Sequence, residues 1–453
     1  MSDPSNPKYE AAAAIAHRLR EAGHQAYFAG GCVRDMLLGI VPKDYDVATS
    51  ATPEQVVALF AKTFTVGAHF GVVLVVEGEI ATEVATFRSD GAYSDGRRPD
   101  AVKYTSDAKE DVLRRDFTIN GMLLDPVVYA DTGDIAAAVL DYVGGREDLA
   151  AGVVRAIGDP ALRFAEDKLR MLRAVRFAAR FDFAIEAETF AAMRMHATSI
   201  HQVSCERIRD ELTRMLTEGA ARRAFGLLDE AGLLREVLPE IVTMHGVQQP
   251  PQFHPEGDVW VHTMLLLEQL PAGCAPTLAW GALLHDVGKP ATFTPPSSAE
   301  DRIRFNGHVE VGVRMAEEIC ARLRFSNEET AQIASLVKNH MRFGDVREMK
   351  ESTLKRFLRL ENFPEHVELH RMDCMAAHGD LSLYEFAKAA YEAHPEDAVR
   401  PVLLLTGREL IAAGYKPGSQ FKEMIAFAED AQLEGRVHTT EEALNLVREH
   451  FGH

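Results

Sequence analysis

The spacing of apolar residues changes part-way along this 453-residue chain. Up to about residue 130, apolar residues come in short alternating runs, as in DYDVATS, and the longer run FGVVLVVEGEIATEVATFR divides at Glu77-Gly78 as a β-hairpin does. From about Pro160 the spacing follows the helical period, and LRFAEDKLRMLRAVRFAARF is predicted to form a long amphipathic helix. The chain is therefore predicted to fold as an α+β region followed by an all-helical region.

Composition and charge exclude several classes of protein. No run of ~18 uncharged apolar residues is present, so no membrane-spanning helix is predicted, and the first residues lack the pattern of a signal peptide. The five cysteines are far apart in the sequence and indicate reduced thiols in a cytoplasmic protein. The net charge of −19 argues against a nucleic-acid partner unless basic residues are concentrated at one local site.

Two aspartates separated by one residue follow a glycine turn in AGGCVRDMLLGIVPKDYDVATS. Side chains at i and i+2 of a strand project to the same face, so Asp44 and Asp46 are predicted to converge and to hold Mg²⁺ through hard oxygen ligands. The Gly30-Gly31 turn before a short helix offers backbone N–H groups to a triphosphate, and Arg34 adds positive charge. The alternative is a surface turn with two solvated aspartates.

Glu83 lies on a later predicted strand, in ATEVATFR, at a position with the correct alternation for a third catalytic carboxylate. The alternative for Glu83 is an ordinary acid on a strand face. Two metal ions held by such carboxylates can clamp the attacking oxygen and the leaving pyrophosphate in nucleotidyl transfer. This part of the sequence therefore predicts a site for a nucleoside triphosphate and its metal ions.

A second charged pattern occurs in EDKLRMLRAVR, where Asp167, Arg170, Arg173 and Arg176 follow one another at intervals of three. Residues three apart on a helix are neighbours, so the four side chains are predicted to form one stripe opposite an apolar face. A carboxylate only accepts hydrogen bonds and a guanidinium only donates them. This combination fits the pairing edges of cytosine and adenine and opposes those of guanine and uracil. The alternative is a solvated ladder of salt bridges.

Histidines and aspartates recur on the predicted helices beyond the Pro-rich break QQPPQFHPEGD. His285 and Asp286 are adjacent at the end of an apolar helix. The same region contains four more potential ligands, namely His262, His308, His340 and Asp373. A lone helical histidine is more often structural, but this number of them favours a metal site. Imidazole and carboxylate together suit a transition-metal divalent ion such as Mn, Ni, Fe or Co.

Five motifs resemble, in the same order, those of the class II tRNA nucleotidyltransferase (CCA-adding enzyme) and bacterial poly(A) polymerase family. They are GGCVRDMLLG…KDYDVATSATPEQV, RRDFTINGM with Gly121 where the family usually has Ala, DYVGGREDLAAGVVRAIGDP, RFAEDKLRMLRAVRF and ERIRDEL. The histidine region resembles the HD phosphohydrolase superfamily. The resemblance implies a polymerase-β-like nucleotidyltransferase head followed by an all-helical neck, an HD body and a helical tail.

The resemblance also implies roles for individual residues. Asp167 and Arg170 match positions that hydrogen-bond the incoming CTP or ATP. The other predicted nucleotide-binding residues are Gly30, Gly31, Arg34, Arg115, Asp116, Asn120, Arg173 and Arg176. In the histidine region, the positions that match the core metal ligands are His262, His285, Asp286 and Asp373. His308 and His340 match additional ligand positions and form a candidate second metal site.

The predicted domains are a nucleotidyltransferase head (1–158), a nucleobase-selecting and RNA-binding neck (159–245), an HD domain (246–385) and a helical tail (386–453). We predict that the chain adds the 3′-terminal CCA, or its terminal A, to tRNA without a nucleic-acid template. The predicted partners are the tRNA 3′ end, CTP and ATP, with Mg²⁺ as cofactor, and neither DNA nor a membrane.

Two other functions stay open. Members of the poly(A) polymerase branch carry an arginine-rich segment where this chain has TFTVGAHFGVVLVV, and they carry a basic tail, so this alternative is weakened. The other alternative is an HD-type metal-dependent phosphohydrolase whose head only binds RNA, and the intact pair of Asp44 and Asp46 argues against it. Family members restricted to adding CC tend to have a shortened loop where this chain has the long polar loop RSDGAYSDGRRPDAVKYTSDAKED, so the resemblance disfavours that restriction.

Overall fold

The computed structural model describes residues 6–65, 71–90, 102–252, 254–298 and 301–452. The chain forms two compact units, Met1–Pro239 and Glu240–His453. Two segments that bear on the alternative functions lie partly outside the described residues. They are TFTVGAHFGVVLVV, at residues 66–70, and the polar loop RSDGAYSDGRRPDAVKYTSDAKED, at residues 91–101. Within the described ranges, no helix combines the length and the apolar composition needed to cross a membrane.

A mixed β-sheet forms the centre of the first unit. Its described strands, together with those of two small sheets, are β1 (Ala26–Ala29), β2 (Val47–Thr49), β3 (Thr63–Phe64), β4 (Val72–Glu77), β5 (Ile80–Thr86), β6 (Arg88–Asp90), β7 (Val102–Tyr104), β8 (Met122–Leu124), β9 (Val139–Asp141), β10 (Val153–Val154) and β11 (Ala184–Ile185). Seven of these strands form one sheet in the order β3-β4-β5-β2-β1-β8-β9. β2 and β5 are parallel, and the other neighbours are antiparallel.

The strands that carry the predicted carboxylates lie side by side in this sheet. β4 and β5 form the predicted hairpin, with Leu74 opposite Glu83. The predicted strand start at Asp44 is wrong, because β2 begins at Val47 and the two aspartates lie in the loop before it. The partner strand β1 turns away at this level, so the pairing cannot extend further. The backbone carbonyl of Asp46 still accepts a hydrogen bond from the last N–H of β1 at 3.0 Å.

Helices complete the first unit. They are α1 (Pro7–Glu21), α2 (Gly31–Leu37), α3 (Pro53–Leu59), α4 (Ala108–Leu113), α5 (Pro126–Thr132), α6 (Ile135–Ala138), α7 (Gly145–Ala151), α8 (Pro160–Glu166), α9 (Leu169–Phe181), α10 (Ala187–His196), α11 (Cys205–Thr217), α12 (Ala221–Glu230) and α13 (Leu233–Val237). Local signals start several of them. Thr52 forms a capping box with Gln55 at α3, and Asp159 caps α8, which has proline at its first position.

The single long helix predicted over LRFAEDKLRMLRAVRFAARF is wrong, because the chain breaks it into α8 and α9 at Asp167. This residue has φ −142° and ψ 105°, outside the helical region. Its carboxylate accepts a hydrogen bond from the Leu169 N–H (3.1 Å), a local bond that competes with the helical pattern. α9 then buries Met171, Leu172 and Val175 against the neighbouring helices.

The described part of the second unit is helical apart from one isolated bridge between Thr294 and Arg304. Its helices, counted from the short helix at the boundary, are α14 (Pro239–Val242), α15 (Val259–Glu268), α16 (Pro276–Leu284), α17 (Lys289–Thr292), α18 (His308–Arg322), α19 (Asn327–Asn339), α20 (Glu351–Leu358), α21 (Phe363–Ala376), α22 (Ser382–Ala393), α23 (Glu396–Val399), α24 (Gly407–Ala412), α25 (Gln420–Leu433) and α26 (Thr440–Phe451). The predicted fold class, a mixed α/β head followed by helices, is confirmed.

Candidate functional site

The glycine turn after β1 brings the backbone close to charged side chains. Gly30 has φ 74°, in the left-handed region that favours glycine, and it precedes the first turn of α2. A Cβ on Gly30 would lie 3.2 Å from Nη1 of Arg115, so this guanidinium lies against the turn. Arg34, in α2, donates to Asp35 Oδ1 and also to Asn120 Oδ1 (2.6 Å). Residues from two separate motifs therefore meet at this turn.

A cavity of about 500 Å³ in the first unit contains most of the predicted site. The described arginines on its wall are Arg34, Arg114, Arg115, Arg170, Arg173, Arg176 and Arg180. Other predicted residues on the wall are Gly30, Gly31, Asp46, Glu83, Asp116, Asn120 and Asp167. Arginines outnumber acids here, although the chain carries a net charge of −19. A local positive site of this kind is what an acidic chain needs in order to bind polyphosphate or RNA.

Asp44 differs from the other two predicted carboxylates. Its side chain is 74% exposed and pairs with Nζ of Lys8 at 2.8 Å. Asp44 lines a smaller neighbouring cavity together with Asp46 and Glu83, and the latter two also line the larger cavity. In the described part of the chain, these three carboxylates do not bring one oxygen atom each to within 4.8 Å of one another.

The electrostatics of Asp46 indicate a place for a cation. Loss of hydration and repulsion from Glu83 and Asp44 raise the pKa of Asp46 to about 6, against an opposing attraction to Arg115. A divalent cation would relieve this repulsion, and carboxylate oxygens are the ligands that Mg²⁺ prefers. The carboxylates of Asp46 and Glu83 on the cavity wall, with Asp44 beside them in the smaller cavity, are of the type that Mg²⁺ prefers.

Asp116, in the segment between α4 and β8, binds α9 at the wall of the large cavity. Its Oδ2 accepts two hydrogen bonds from Arg173, at 2.9 and 2.6 Å, and its Oδ1 accepts one from Asn120 at 3.2 Å. Burial opposes ionisation, but Arg173 and Asn120 lower the pKa of Asp116 to about 2, so its charge is fixed at neutral pH. Since Asn120 also binds Arg34, these side chains form one continuous polar network.

The stripe predicted from the interval of three is not a ladder of ion pairs along one helix. Asp167 lies outside α9 and pairs with Arg207 of α11, at 3.3 and 2.8 Å. Arg170 pairs with Glu166 at 2.7 Å and also donates to two backbone carbonyls. Arg176 pairs with the buried Glu211 of α11 at 2.7 Å. Each charged group is held by a different element, and Asp167 and Arg170 both line the cavity.

The six predicted ligands of the histidine region come together in the second unit. His262 Nε2 lies 3.0 Å from Asp373 Oδ1 and 3.3 Å from His285 Nε2. Asp286 lies at the centre, with Oδ2 3.1 Å from His285 Nε2 and 3.9 Å from His262 Nε2. Hydrogen bonds to Asp373 and Glu256 overcome the effect of burial and raise the pKa of His262 to about 9.

The other oxygen of Asp286 faces the candidate second site. Asp286 Oδ1 lies 3.9 Å from His308 Nε2 and 3.7 Å from His340 Nε2. All three atoms are buried and have no hydrogen-bond partner among the described residues. Buried polar atoms are rarely left unsatisfied, so three that converge on one point fit a metal ion. Both donor sets, His262/His285/Asp286 and Asp286/His308/His340, lie within 4.8 Å and suit a transition-metal ion such as Mn²⁺.

The backbone orients three of these histidines in the same way. The Nδ1 atoms of His285, His308 and His340 lie 2.8, 2.9 and 2.6 Å from the carbonyl oxygen three residues earlier in the chain. Since a carbonyl only accepts, Nδ1 carries the proton in each ring, and the unprotonated Nε2 faces Asp286. This tautomer is the one that a metal ligand needs.

Two glycines allow α18 to approach Asp286 closely. A Cβ on Gly288 would lie 2.1 Å from the His308 carbonyl oxygen and 2.6 Å from the Gly312 nitrogen. Real Cβ atoms do not come this close, so glycine is required at residue 288.

Beside the cluster lies a cavity of about 570 Å³, lined by Asp373 and His308 and by the cationic Lys289 and Arg302.

Three parts of the chain match known protein families. Residues 26–155 match the poly A polymerase head domain, and residues 182–244 match the probable RNA and SrmB-binding site of polymerase A. Residues 259–401 match the HD domain. The first match contains the glycine turn and the carboxylates, and the third contains all six candidate ligands of the histidine cluster.

Two relatives and one solved structure cover different extents of the chain. The CCA-adding enzymes of Bacillus pumilus and Geobacillus stearothermophilus are each 41% identical, over 232 and 227 residues, or 51% and 50% of this chain. The chain spans about half the length of these relatives, 56% and 54%. The Bacillus stearothermophilus CCA-adding enzyme in complex with CTP has a TM-score of 0.73 at 25% identity over 98% of both chains. The chain is therefore similar to class II CCA-adding enzymes, with matches to a poly A polymerase head, an RNA-binding segment and an HD domain.

A structure of lower identity has a similar fold. The Thermotoga maritima CCA-adding enzyme complexed with tRNA has a TM-score of 0.57 at 19% identity, covering 99% of this chain and 97% of that one.

The departure from the family motif at Gly121 has a packing explanation. A Cβ on Gly121 would lie 2.9 Å from Ile157 Cδ1 and 2.9 Å from Val143 Cγ2, so these side chains occupy the space of the missing methyl group.

The sequence did not predict three arginines at the large cavity of the first unit. Arg114 and Arg180 line the cavity, and Arg207 holds Asp167. Sequence signals for them exist. Arg114 precedes Arg115 in the second motif, Arg180 follows Arg176 by one helical turn, and Arg207 lies in the fifth motif.

Three residues at the histidine cluster were also missed. Lys289 Nζ lies 2.6 Å from Asp286 Oδ2 and donates to Gln249 Oε1 at 2.7 Å. His254 and Glu256 contact His262 from the loop before α15. Lys289 follows Asp286 by three residues, a spacing that indicates contact at a helical turn. The sequence HPEGD that carries the other two is a loop, whose side-chain directions have no periodicity from which to infer contacts.

Proposed function

We propose that this chain is a template-independent nucleotidyltransferase that adds the 3′-terminal CCA, or its terminal A, to tRNA from CTP and ATP. One observation carries the proposal: a single arginine-rich cavity contains the carboxylates Asp46 and Glu83 as well as the base-selecting candidates Asp167 and Arg170. The names of the relatives and the CTP complex of the structural neighbour support the substrate assignment.

The reaction is attack by the tRNA 3′-hydroxyl on the α-phosphate, with release of pyrophosphate. Arg34 and Arg115 lie beside the glycine turn and neutralise the triphosphate, whose oxygens also accept from the backbone of the turn. Asp44, Asp46 and Glu83 would hold Mg²⁺, which would supply Lewis-acid stabilisation of the charge on the phosphates. Asp116 keeps Arg173 oriented towards the cavity through its two hydrogen bonds.

Base selection follows from the hydrogen bonds that Asp167 and Arg170 still have available. The Asp167 carboxylate accepts from Arg207 and from the Leu169 N–H, which leaves capacity for the exocyclic amine of cytosine or adenine. The Arg170 guanidinium uses part of its five donors on Glu166 and two carbonyls, and the remaining donors meet the acceptor of the same base edge. Guanine and uracil place an oxygen against the carboxylate and are rejected.

The test uses tRNA transcripts that lack the last one, two or three nucleotides of the CCA end, each incubated with single and mixed nucleoside triphosphates. We expect C to be added to the two shorter transcripts, A only after CC, and growth to stop at CCA. Addition of A alone, and only to the longest transcript, would identify an A-adding enzyme. Long A tails on every transcript would instead support the poly(A) polymerase alternative and overturn the proposal.

A second activity is favoured by the converging buried atoms around Asp286. We infer that the HD region holds one or two transition-metal ions and hydrolyses phosphate esters in the adjoining cavity, with Lys289 and Arg302 on its wall. The test measures metal content and phosphatase and phosphodiesterase activity with Mn²⁺, Ni²⁺, Co²⁺ or Mg²⁺. The double variant His285→Ala/Asp286→Ala should lose both metal and activity and keep nucleotide addition. A wild-type protein that binds metal and hydrolyses nothing would reduce the region to a scaffold.

A further inference from the structure

Glu256 connects the metal cluster of the HD region to the wall of the adjoining cavity. Its Oε1 accepts hydrogen bonds from Nδ1 of His262, at 2.7 Å, and from Nδ1 of His254, at 2.9 Å. The Glu256 side chain is 7% exposed and that of His262 is fully buried. We propose that Glu256 is a positioning residue for the HD metal centre, which fixes the tautomer and the direction of His262. This inference rests on the metal site proposed above.

The two ring nitrogens of His262 face different partners. When a metal ion displaces the proton of Nε2, the proton bound to Glu256 stays on Nδ1, and the neutral ring presents an unprotonated Nε2. In His262 this Nε2 faces Asp373, His285 and Asp286 at 3.0 to 3.9 Å. The other three histidines of the cluster obtain the same tautomer from a backbone carbonyl, whereas His262 obtains it from the Glu256 carboxylate. A carboxylate behind a metal-binding histidine also makes the ring a stronger ligand.

The loop around Glu256 has a fixed backbone. Asp258 caps α15 by accepting from the Val261 N–H at 2.8 Å, and its other oxygen accepts from the Gly246 N–H at 2.7 Å. Gly257, between Asp258 and Glu256, has φ 137°, which residues with a side chain rarely adopt. The carboxylate is therefore held in place before any metal binds.

A different role for Glu256 is as a metal ligand with His254 and His262, because their donor atoms also lie within 4.8 Å of one another. That arrangement would use Nδ1 of His262, while Nε2 of the same ring serves the central cluster. Both ring nitrogens of His262 would then be bound to metal, and no proton would be left to donate to Glu256. The distances of 2.7 and 2.9 Å are those of hydrogen bonds.

The same carboxylate also fixes His254, which lines the cavity beside the cluster together with Lys289 and Asp373. Its Nδ1 is bound to Glu256, so the ring is held with the same polarity as that of His262. A single acidic side chain thus sets the orientation of one metal ligand and of one residue on the cavity wall.

The experiment compares Glu256→Gln with Glu256→Met in the full-length protein. Glutamine keeps an oxygen that accepts both hydrogen bonds, and methionine has similar length without a comparable acceptor. Metal binding is measured by titration with Mn²⁺ alone, followed by electron paramagnetic resonance, and by the absorption spectrum of the Co²⁺-loaded protein. Glu365→Met is the matched control, because Glu365 also accepts from two side chains of the second unit, Thr277 and Gln332.

We expect Glu256→Met to bind Mn²⁺ about 10- to 100-fold more weakly, with an altered Co²⁺ spectrum, and Glu256→Gln to recover most of the affinity. Glu365→Met should bind as the wild type does. Equal Mn²⁺ affinity in the wild type and Glu256→Met would overturn the inference and leave the metal site standing. Loss of one whole equivalent of metal in both variants would make Glu256 a ligand and also overturn it. A wild type that binds no Mn²⁺ would overturn the metal site and the inference together.

A second measurement needs no variant of Glu256. In Zn²⁺-loaded wild type labelled with ¹⁵N-histidine, with His262 assigned by comparison with His262→Gln, the proton should reside on Nδ1. A protonated Nε2 in His262 would contradict the inference even if the Met variant failed to fold.

Discussion

The Arg207 guanidinium holds both oxygens of Asp167, at 3.3 and 2.8 Å, from a helix 40 residues further along the chain. Both side chains are mostly buried, with 24% and 18% exposure. A buried, two-bonded carboxylate cannot turn away from the cavity, so Arg207 fixes the direction of the proposed base-selecting group. Arg207, in the motif ERIRDEL, thus orients the proposed base-selecting carboxylate of Asp167, in the motif RFAEDKLRMLRAVRF.

Replacing Arg207 should therefore impair nucleotide addition without removing any proposed contact to the nucleotide. We expect Arg207→Met to lower kcat/KM for CTP and ATP by about tenfold or more, because misplacing a positioning group by about an ångström has effects of this size. Steady-state kinetics on a tRNA lacking its CCA end measures this. Arg209→Met, on the same helix and paired with the adjacent Asp210, is the control. Equal kinetics in the two variants would show that Arg207 only contributes to folding.

Asp46 and Asp44 should be equally necessary for nucleotide addition but unequal in their effect on stability. Either Asp→Asn variant removes an oxygen ligand of Mg²⁺ and should abolish addition. In metal-free protein, the raised pKa of Asp46 means that its ionised form is unfavourable in the fold. Asp46→Asn should therefore unfold at a higher temperature than wild type. Asp44→Asn loses an exposed ion pair worth about 0–1 kcal/mol and should change little.

The pH dependence of this difference has a defined sign. The folded pKa of Asp46, about 6, lies above its ordinary value of 3.8, so the protonated form stabilises the wild type at low pH, and this contribution is lost as the pH rises from 3.8 to 6. In EDTA, wild type and Asp46→Asn should have similar unfolding temperatures near pH 3.8, and the difference between these temperatures should grow up to about pH 6. A difference that shrinks with rising pH would contradict the assignment of the repulsion to Asp46.

Gly288 should tolerate no side chain. The Cβ of Gly288→Ala would overlap the His308 carbonyl at 2.1 Å, so α18 must move away from Asp286. We expect a loss of about 1–3 kcal/mol in the free energy of unfolding, together with weaker Mn²⁺ binding. Gly344→Ala is the control, because no atom of the described residues lies within 4 Å of its Cβ position. Normal Mn²⁺ binding by Gly288→Ala would show that the close approach is unimportant for the site.

The sequence predicted the candidate site better than it predicted local geometry. The chemistry of Asp167 and Arg170 was visible as residue types at a fixed interval, but the helix break at Asp167 was not. Apolar periodicity continues through the break, and what stops the helix is a bond from the Asp167 carboxylate to the next turn and a long-range pair with Arg207. The strand start at Asp44 failed for a similar reason, since it depends on where the partner strand turns away.

The same limit applies to the histidine region. Helical histidines such as His285 were recognisable one by one, because a metal ligand is an unusual residue on an apolar helix. Glu256 and Lys289 were not, since an acid in a loop and a lysine at a helix start are ordinary surface residues. Only the packing of several helices, including the contact at Gly288, places them against Asp286 and His262.

Base selection by Asp167 and Arg170 is tested most directly by the relative kcat/KM for CTP, ATP, UTP and GTP on one tRNA primer. Asp167→Ala removes the acceptor for the exocyclic amine of cytosine and adenine. We expect efficiency with CTP and ATP to fall and discrimination against UTP and GTP to fall by about 5- to 150-fold, which corresponds to about 1–3 kcal/mol for such a contact. If the four ratios are the same in wild type and Asp167→Ala, the charged residues are structural and the proposed base selection is wrong.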